Sequence, residues 1–298
     1  MSAKRRKLTK RQRQMLQGLI VLVIALALSY FFPDLYGPGN TDAPGAQSTS
    51  GTAGPADGRL YFMDVGQGDA SLIASGGEYV LIDGGPSSAE GELVAYLESL
   101  GIERFRAVIA THPHEDHIGG LDKVLARFPA DAFYMPDKDA TTACFERMLD
   151  EVEAQGLEIT IPEPGETLRF GDAVLEFLSP APENRYDNTN DYSIVTKLTM
   201  GGMKVLYMGD SETPVERELL DANYDLDCDI IKLGHHGSST SSSKEFLEAA
   251  SPETAVISCA KDNDYGHPHR ETLQSLREMD IPALYTYEGT IVLPEDAA

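Results

Sequence analysis

The sequence has few cysteines and few cationic side chains for its length. Three cysteines among 298 residues are too few and too scattered for a disulfide framework or a four-thiolate zinc site. Only 24 Lys and Arg side chains stand against 48 Asp and Glu, and seven of these cations lie in residues 1–14. The other 17 cations leave residues 15–298 with a formal charge of −31. This charge excludes an electrostatically driven, tight nucleic-acid clamp, while weak or metal-mediated contact with phosphate stays open.

Long apolar runs are also scarce. The only one covers residues 15–32 and follows the basic tail at 1–14. As a helix it would be about 27 Å long, close to the hydrocarbon thickness of a bilayer. The positive-inside rule then predicts a single-pass anchor in the cell membrane, with a cytoplasmic tail and an extracytoplasmic C-terminal part. The competing interpretation is a cleaved signal peptide that releases a secreted protein. Residues 33–58, rich in Gly, Pro, Ser, Thr and Ala, predict a flexible linker.

Residues 59–298 predict one α/β domain. The chain is 42% hydrophobic, which excludes wholesale disorder. Short β-type runs begin the domain at 60–65 and 70–74, and apolar residues recur at helical spacing over 89–100. Hairpin patterns come first and strand–helix alternation follows, an order that occurs roughly twice. This order indicates mixed sheets with helices outside.

The seven histidines fall into three clusters, each directly after a predicted strand. In THPHEDHIGG (111–120), His112 and His114 stand two apart in an extended loop and can turn their imidazoles toward one cation. Asp116 and His117 then begin a helix and can face a second cation. The pattern H-x-H-x-D-H therefore predicts a metal site, although Asp116 would also serve as a helix N-cap.

Through this cluster and other motifs, the sequence resembles the metallo-β-lactamase-fold superfamily of binuclear metallohydrolases. It most resembles the hydrolase domain of bacterial competence (DNA-internalisation) proteins. The resemblance runs from about Arg59 to Leu293. Its motifs are FMDVGQGD (62–69), LIDGG (81–85), THPHEDHIGG (111–120), NDYS (190–193), MGD (208–210), KLGHHGS (232–238) and YGHP (265–268). It implies an αββα sandwich of two mixed β-sheets with outer helices. The sequence has one apolar segment where those proteins have a multi-helix channel, so we do not predict DNA transport.

The resemblance further implies two divalent cations, Zn²⁺ or Mn²⁺. His112 and His114 match the ligands of the first metal, and Asp116 and His117 match ligands of the second. Asp210 matches the carboxylate that bridges both ions, although an Asp after Gly is also typical of a turn.

One histidine of KLGHHGS matches the last ligand of the second metal, and the other is expected to face the substrate. Spacing does not separate His235 from His236. Many members of the superfamily have a third first-metal histidine, and no histidine occurs here between His117 and His235. Asn190 and Asp191 stand in its place as candidate oxygen ligands, or as a turn before a strand. More oxygen ligands weaken the case for Zn²⁺ and admit Mn²⁺.

Further candidates surround these ligands. Asp83 is expected to orient the metal loop without touching the metals. His267 is expected to donate a proton or bind phosphate, with an exposed loop histidine as the alternative. Ser238 would bind substrate phosphate, unless its hydroxyl-rich run only caps a helix at 243–250. Asp69, Asn190 and Lys232 complete the expected substrate-binding or ligand-supporting set, and Asp116 and His267 are the expected catalytic residues.

Two functional classes follow. The first is a membrane-tethered, extracytoplasmic binuclear hydrolase, a phosphodiesterase that acts on DNA or another phosphodiester. Contact with single- or double-stranded DNA would be weak, because the negative charge of the domain repels a polyanion. The same charge favours a smaller or less charged substrate, such as a cell-wall or lipid head-group phosphoester. The second class is a non-catalytic, metal-stabilised surface binding module. The oligomeric state does not follow from the sequence.

Overall fold

Two seven-stranded sheets dominate the structure, a computed structural model that describes residues 58–181 and 183–294. The predicted basic tail, the apolar segment 15–32 and all but the last residue of the predicted linker lie outside the described residues. Within the described ranges, no helix is both long and apolar enough to cross a membrane.

The first sheet combines antiparallel and parallel pairing. Its strands are β1 (Arg59–Phe62), β2 (Ser71–Ser75), β3 (Glu78–Ile82), β4 (Ala107–Ile109), β5 (Phe133–Tyr134), β6 (Ile159–Thr160) and β14 (Ile291–Leu293). Their spatial order is β14-β1-β2-β3-β4-β5-β6. The strands from β14 to β3 pair antiparallel, and those from β3 to β6 pair parallel.

The second sheet repeats this arrangement. Its strands are β7 (Thr167–Phe170), β8 (Ala173–Ser179), β9 (Val195–Met200), β10 (Met203–Tyr207), β11 (Ile230–Lys232), β12 (Thr254–Ile257) and β13 (Ala283–Tyr285). Their spatial order is β13-β12-β11-β10-β9-β8-β7. The strands from β7 to β10 pair antiparallel, and those from β10 to β13 pair parallel.

Helices cover the outer face of each sheet. Those of the described residues are α1 (Glu90–Ser99), α2 (Glu115–Ile118), α3 (Leu121–Arg127), α4 (Ala143–Ala154), α5 (Thr213–Asp221), α6 (Lys244–Ala250) and α7 (Arg270–Glu278). α1 to α4 pack on the first sheet and α5 to α7 on the second. α4 begins where the Thr142 hydroxyl accepts a hydrogen bond from the backbone N–H of Phe145, an N-cap that the sequence favours.

Three apolar clusters hold the layers together. Leu60 and Phe62 of β1 face the second sheet, and the intervening Tyr61 faces the helices. This alternation buries both faces of the strand, as expected for a sheet covered on both sides. One cluster lies between the sheets, and each of the others lies between a sheet and its helices. The layers are therefore helix, sheet, sheet and helix, in agreement with the expected two mixed sheets with outer helices.

The hydrophobic pattern of the sequence does not predict two of the elements, β7 and α5. β7 has four residues and is the edge strand of its sheet, so its pattern is short. α5 begins beside Pro214, which suits the first turn of a helix. It buries Val215 and Leu219, four residues apart, against its sheet.

Candidate metal centre

Loops that follow strand ends meet where the two sheets come together. Asp83 follows β3 and His112 follows β4 of the first sheet, whereas Asp210 follows β10 and His236 follows β11 of the second. A cleft of about 410 Å³ opens beside these loops. Its walls include His114, Asp116, Asp210, His236, Tyr265 and His267. The clusters that follow separate strands in the sequence are thus neighbours in space.

His112, His114 and Asp210 form one group of potential metal ligands. His112 Nε2 lies 3.0 Å from His114 Nδ1 and 3.7 Å from Asp210 Oδ2. His112 Nδ1 lies 3.2 Å from the Thr111 hydroxyl, which itself donates to Asp83. That hydroxyl therefore accepts from His112 Nδ1 and leaves the Nε2 lone pair free to face the group.

A second group lies around the other oxygen of the same carboxylate. Asp210 Oδ1 lies 3.1 Å from His117 Nε2 and 3.6 Å from His236 Nε2. Asp116 Oδ2 lies 3.1 Å from His236 Nε2 and 4.0 Å from His117 Nε2. Imidazole nitrogens and carboxylate oxygens at this spacing are suitable donors for Zn²⁺ or Mn²⁺.

Asp69 approaches this second group from the Nδ1 side of the imidazoles. It forms a potential ligand group with His117, Asp210 and His236. Its oxygens lie 3.9 Å from His117 Nδ1 and 4.0 Å from His236 Nδ1. Lys232 Nζ lies 2.5 Å from Asp69 Oδ2, and both side chains are buried. Asp69 therefore stands behind the imidazoles, on the side away from their Nε2 atoms, and is paired with a buried cation.

Unpaired buried atoms test whether these residues fit a metal. Asp210 Oδ1 and His117 Nε2 are buried and lie 3.1 Å apart, and beyond each other neither has a hydrogen-bond partner among the described residues. A buried polar atom without a partner costs about 1–3 kcal/mol. One divalent cation bound by both atoms would satisfy them. The donor set therefore fits a metal ion.

Hydrogen bonds fix the orientation of the imidazoles in this second group. The His117 Nδ1–H donates to Asp83 Oδ2 at 2.8 Å, and the His236 Nδ1–H donates to the Ser258 carbonyl at 2.8 Å. Since these oxygens only accept, each ring presents Nε2 to the group. Asp83 also accepts from the backbone N–H of Thr111 at 2.8 Å. Asp83 therefore ties the backbone of Thr111 to the ring of His117.

The charges of the second group favour a cation. Burial opposes protonation of His117, but the carboxylates of Asp210 and Asp83 outweigh it and raise the pKa of His117 well above its usual value. Burial also opposes ionisation of Asp210, but His117 and His236 hold its pKa well below the usual range. A divalent cation supplies the same positive charge and displaces the protons.

The structure separates the two histidines of KLGHHGS. His235 and His236 both have left-handed backbones, with φ of 46° and 54°, which turn the two side chains apart. His236 is buried in the second ligand group. His235 Nδ1 lies 3.0 Å from Glu212 Oε1 and 3.2 Å from the Thr240 hydroxyl. It lines the cleft, and it belongs to neither ligand group.

Asn190 and Asp191 point to different places. The Asn190 amide donates to Glu212 at 3.1 Å and lines the cleft, and its buried Oδ1 has no hydrogen-bond partner among the described residues. Asp191 accepts a hydrogen bond from the backbone N–H of Glu212 at 3.0 Å and belongs to neither ligand group. Of the two expected oxygen ligands, only Asn190 faces the cleft.

The remaining candidates divide between cleft and loop. His267 lies in the cleft wall, and burial together with His236 and His235 lowers its pKa to about 4. Ser238 is not among the lining residues, and its hydroxyl lies 3.0 Å from that of Thr240. In the same run, the Ser243 hydroxyl caps α6, as the alternative interpretation expected.

Two contributors to the site were not predicted from the sequence. The Ser193 hydroxyl accepts from the backbone N–H of Asp210 at 2.9 Å and so positions the shared carboxylate. Tyr265 stands in the cleft wall. Both residues lie inside quoted motifs, NDYS and YGHP, but serine and tyrosine carry no metal-binding signal.

Comparisons with known proteins agree with the motif resemblance. A sequence profile of the metallo-beta-lactamase superfamily matches residues 63–261. The chain is 32% identical over 256 residues to ComE operon protein 3 of Bacillus subtilis (strain 168), across 79% of this chain and 33% of that protein. It is 29% identical over 229 residues to competence protein ComA of Neisseria gonorrhoeae, across 76% of this chain and 30% of that protein. The chain thus spans about a third of the length of these relatives.

Solved structures share the fold. The metallo-beta-lactamase fold protein YhfI of Bacillus subtilis aligns with a TM-score of 0.55 at 16% identity, across 79% of this chain and 99% of that chain. CmlA of Streptomyces venezuelae, a diiron beta-hydroxylase, aligns with a TM-score of 0.54 at 15% identity, across 80% of this chain and 54% of that chain. At these identities the likeness concerns the fold alone.

Proposed function

The chain belongs to the metallo-β-lactamase superfamily of metal-dependent hydrolases, and from that premise we propose that its cleft hydrolyses phosphodiester bonds with two divalent cations. The observation that carries the proposal is the position of Asp210. Its Oδ2 lies 3.7 Å from His112 Nε2, and its Oδ1 lies 3.1 Å from His117 Nε2. A carboxylate shared by both groups would offset the repulsion between two adjacent dications.

Each group would hold one cation. His112, His114 and Asp210 would hold the first, and Asp116, His117, Asp210 and His236 the second. Cations bound there would polarise a phosphoryl oxygen and lower the pKa of water to near neutrality. Asp83 and the Ser258 carbonyl keep the Nε2 lone pairs of His117 and His236 directed at the group.

Side chains of the cleft wall would position the substrate. His267 has a lowered pKa of about 4 and is therefore neutral at pH 7. A neutral imidazole suits hydrogen bonding to a phosphoryl oxygen better than donation of a stored proton, so we assign the binding role to His267. Asn190, with its free buried Oδ1, would face either the first cation or the substrate.

Nucleic acid is the substrate class that the relatives favour. The chain is 27% identical over 127 residues to a protein named Ribonuclease J from Synechocystis, across 40% of this chain and 18% of that protein, and a longer match is named Competence protein ComA. The apolar segment 15–32 supports a location on the outer side of a membrane, to which the chain would be tethered.

A smaller phosphoester is the second candidate substrate. None of the described residues that line the cleft is Lys or Arg, and the whole chain has a formal charge of −24. A cell-wall or lipid head-group phosphodiester would bind there without the cationic track that a long polyanion needs.

The test is hydrolysis by the full chain, purified in detergent and loaded with Mn²⁺ or Zn²⁺. We expect turnover of bis-p-nitrophenyl phosphate that a chelator abolishes and metal restores. Turnover of linear DNA favours nucleic acid, and turnover of the small diester alone favours the smaller substrate. A metal-loaded chain that hydrolyses neither would instead be the non-catalytic binding module.

The location is tested separately. Protease added to intact cells should release a fragment that begins within residues 33–58. A C-terminal domain that stays intact until the membrane is lysed would contradict the proposed topology.

A further inference from the structure

One aromatic side chain of the cleft wall is strongly exposed. Among the described residues, the large hydrophobic side chains with high exposure are Ile159, Ile161 and Tyr265, and Tyr265 is 67% exposed. Tyr265 lines the cleft, and the two isoleucines lie at the edge strand β6. Singly exposed apolar side chains are common, but an aromatic ring at the mouth of a cleft lies where a bound ligand would contact it.

The loop that carries Tyr265 is fixed in place. The Asn263 amide donates to the carbonyls of Ala260 and His267 at 2.8 and 2.6 Å, and its Oδ1 accepts from the backbone N–H of His267 at 3.0 Å. His269 Nε2 lies 3.2 Å from the Tyr265 carbonyl. A loop tied at these points presents the ring with little further loss of entropy on binding.

Tyr265 is the outermost of a series of parallel rings that ends at the metal site. Its ring stacks on that of His267, with centroids 5.6 Å apart and planes inclined by 20°. The His267 ring in turn stacks toward His236, with centroids 6.1 Å apart and planes inclined by 29°. A flat ring placed on Tyr265 would therefore extend a stack whose inner end is a potential metal ligand.

The cleft offers stacking but no cationic track. The described lining residues include no Lys or Arg, so binding would not depend on a run of phosphates. Stacking of bases on aromatic side chains tolerates any sequence and requires that the base be unpaired. An aromatic ring without neighbouring cations therefore favours a short or single-stranded oligonucleotide over a duplex as the ligand.

We propose that Tyr265 stacks an unpaired nucleobase beside the phosphodiester in the cleft, so that single-stranded ends or short oligonucleotides are the substrate class. This inference rests on the proposed phosphodiesterase function and narrows it. Stacking on an aromatic side chain contributes about 1–3 kcal/mol per base, which corresponds to about a 5- to 150-fold change in affinity.

The experiment measures binding apart from turnover. Titration calorimetry measures the affinity of the Mn²⁺-loaded full chain for three probes. The first is a single-stranded oligothymidylate with phosphorothioate linkages, and the second is its duplex. The third, base-free probe has the same backbone with tetrahydrofuran in place of every base. We expect Tyr265→Ala to weaken binding of the single strand about 5- to 150-fold, and Tyr265→Phe to retain it. The base-free probe should bind wild type and Tyr265→Ala alike. Ile161→Ala, which also truncates an exposed apolar side chain but lies outside the cleft wall, is the matched control.

Other results overturn the proposal. One is that wild type and Tyr265→Ala bind the single strand equally well, and another is that Tyr265→Ala weakens binding of the single strand and of the base-free probe equally. A preference of wild type for the duplex, or its failure to bind the single strand, would also overturn the proposal. Hydrolysis of bis-p-nitrophenyl phosphate by wild type is measured in parallel. Its absence refutes the phosphodiesterase function, whereas its presence with base-independent binding refutes only the role of Tyr265.

Discussion

Asp210 Oδ1 and His117 Nε2 lie 3.1 Å apart, are both buried, and have no other hydrogen-bond partner among the described residues. The imidazole is oriented from behind by Asp83, which accepts its Nδ1–H at 2.8 Å. Without a proton or a cation between the two atoms, the lone pair of Nε2 would therefore face a carboxylate oxygen. Positive charge between the two atoms removes this conflict, and a divalent cation supplies more of it than a proton does.

The buried ion pair behind the site predicts a stability effect. Lys232 Nζ lies 2.5 Å from Asp69 Oδ2, and both side chains are no more than 5% exposed. Lys232→Met would leave Asp69 as an uncompensated buried charge, so we expect the free energy of unfolding to fall by about 3–5 kcal/mol. Urea denaturation of the chelated protein measures this free energy of unfolding for wild type and for the variant.

A surface pair provides the control for this substitution. Lys204 Nζ lies 2.8 Å from Asp227, and the lysine side chain is 35% exposed. Lys204→Met should cost less than about 1 kcal/mol, because water solvates the aspartate that remains. If Lys232→Met and Lys204→Met lower the free energy of unfolding equally, the predicted cost of breaking the buried pair is wrong.

Adjacent histidines allow a second matched comparison. His236 Nε2 lies 3.1 Å from Asp116 and 3.6 Å from Asp210, whereas His235 contacts Glu212. His236→Ala should therefore lower the metal content by about one ion per chain, and His235→Ala should retain both ions. Elemental analysis after purification without chelators counts them. A loss confined to His235→Ala would reverse the assignment.

The third prediction concerns stability at acidic pH. Burial and the neighbouring histidines lower the folded-state pKa of His267 to about 4, below the usual value near 6.5. Between these two pH values the unfolded chain binds the additional proton, so His267 destabilises the folded state as the pH falls from about 6.5 to 4.

Replacing the imidazole should remove that contribution. We expect the melting temperature of chelated His267→Gln to fall less steeply than that of wild type over this pH range, and the two slopes to agree above pH 7. Differential scanning calorimetry at a series of pH values measures both slopes. Identical slopes below pH 6.5 would contradict the lowered pKa of His267.

Much of the site followed from the sequence because its residues stand directly after strands. His112, Asp210 and His236 each do so, and strand ends of an α/β sandwich meet at one edge. The choice between His235 and His236 did not follow, because it depends on two consecutive left-handed backbone conformations. The contact of Asp69 with Lys232 also did not follow, since it joins the β1–β2 loop to a strand of the other sheet. Spacing along the chain carries no information about such contacts.

The last prediction concerns Asp210→Asn. The substitution keeps the shape of the side chain and removes the negative charge that the two ligand groups share. We expect wild type to hold about two divalent ions per chain and Asp210→Asn to lose at least one of them. Hydrolysis of bis-p-nitrophenyl phosphate should fall by several orders of magnitude, because the metals supply the acidity of the attacking water.

A buried aspartate outside the site separates loss of charge from loss of fold. Asp122 is 4% exposed and pairs with Arg147 at 2.8 Å on the helical face of the first sheet. Asp122→Asn should lower stability while both metals and most activity remain. Circular dichroism establishes that each variant is folded. If Asp210 is only a turn residue, Asn serves the turn nearly as well, so near-normal metal content and hydrolysis in folded Asp210→Asn would refute its role as the shared ligand.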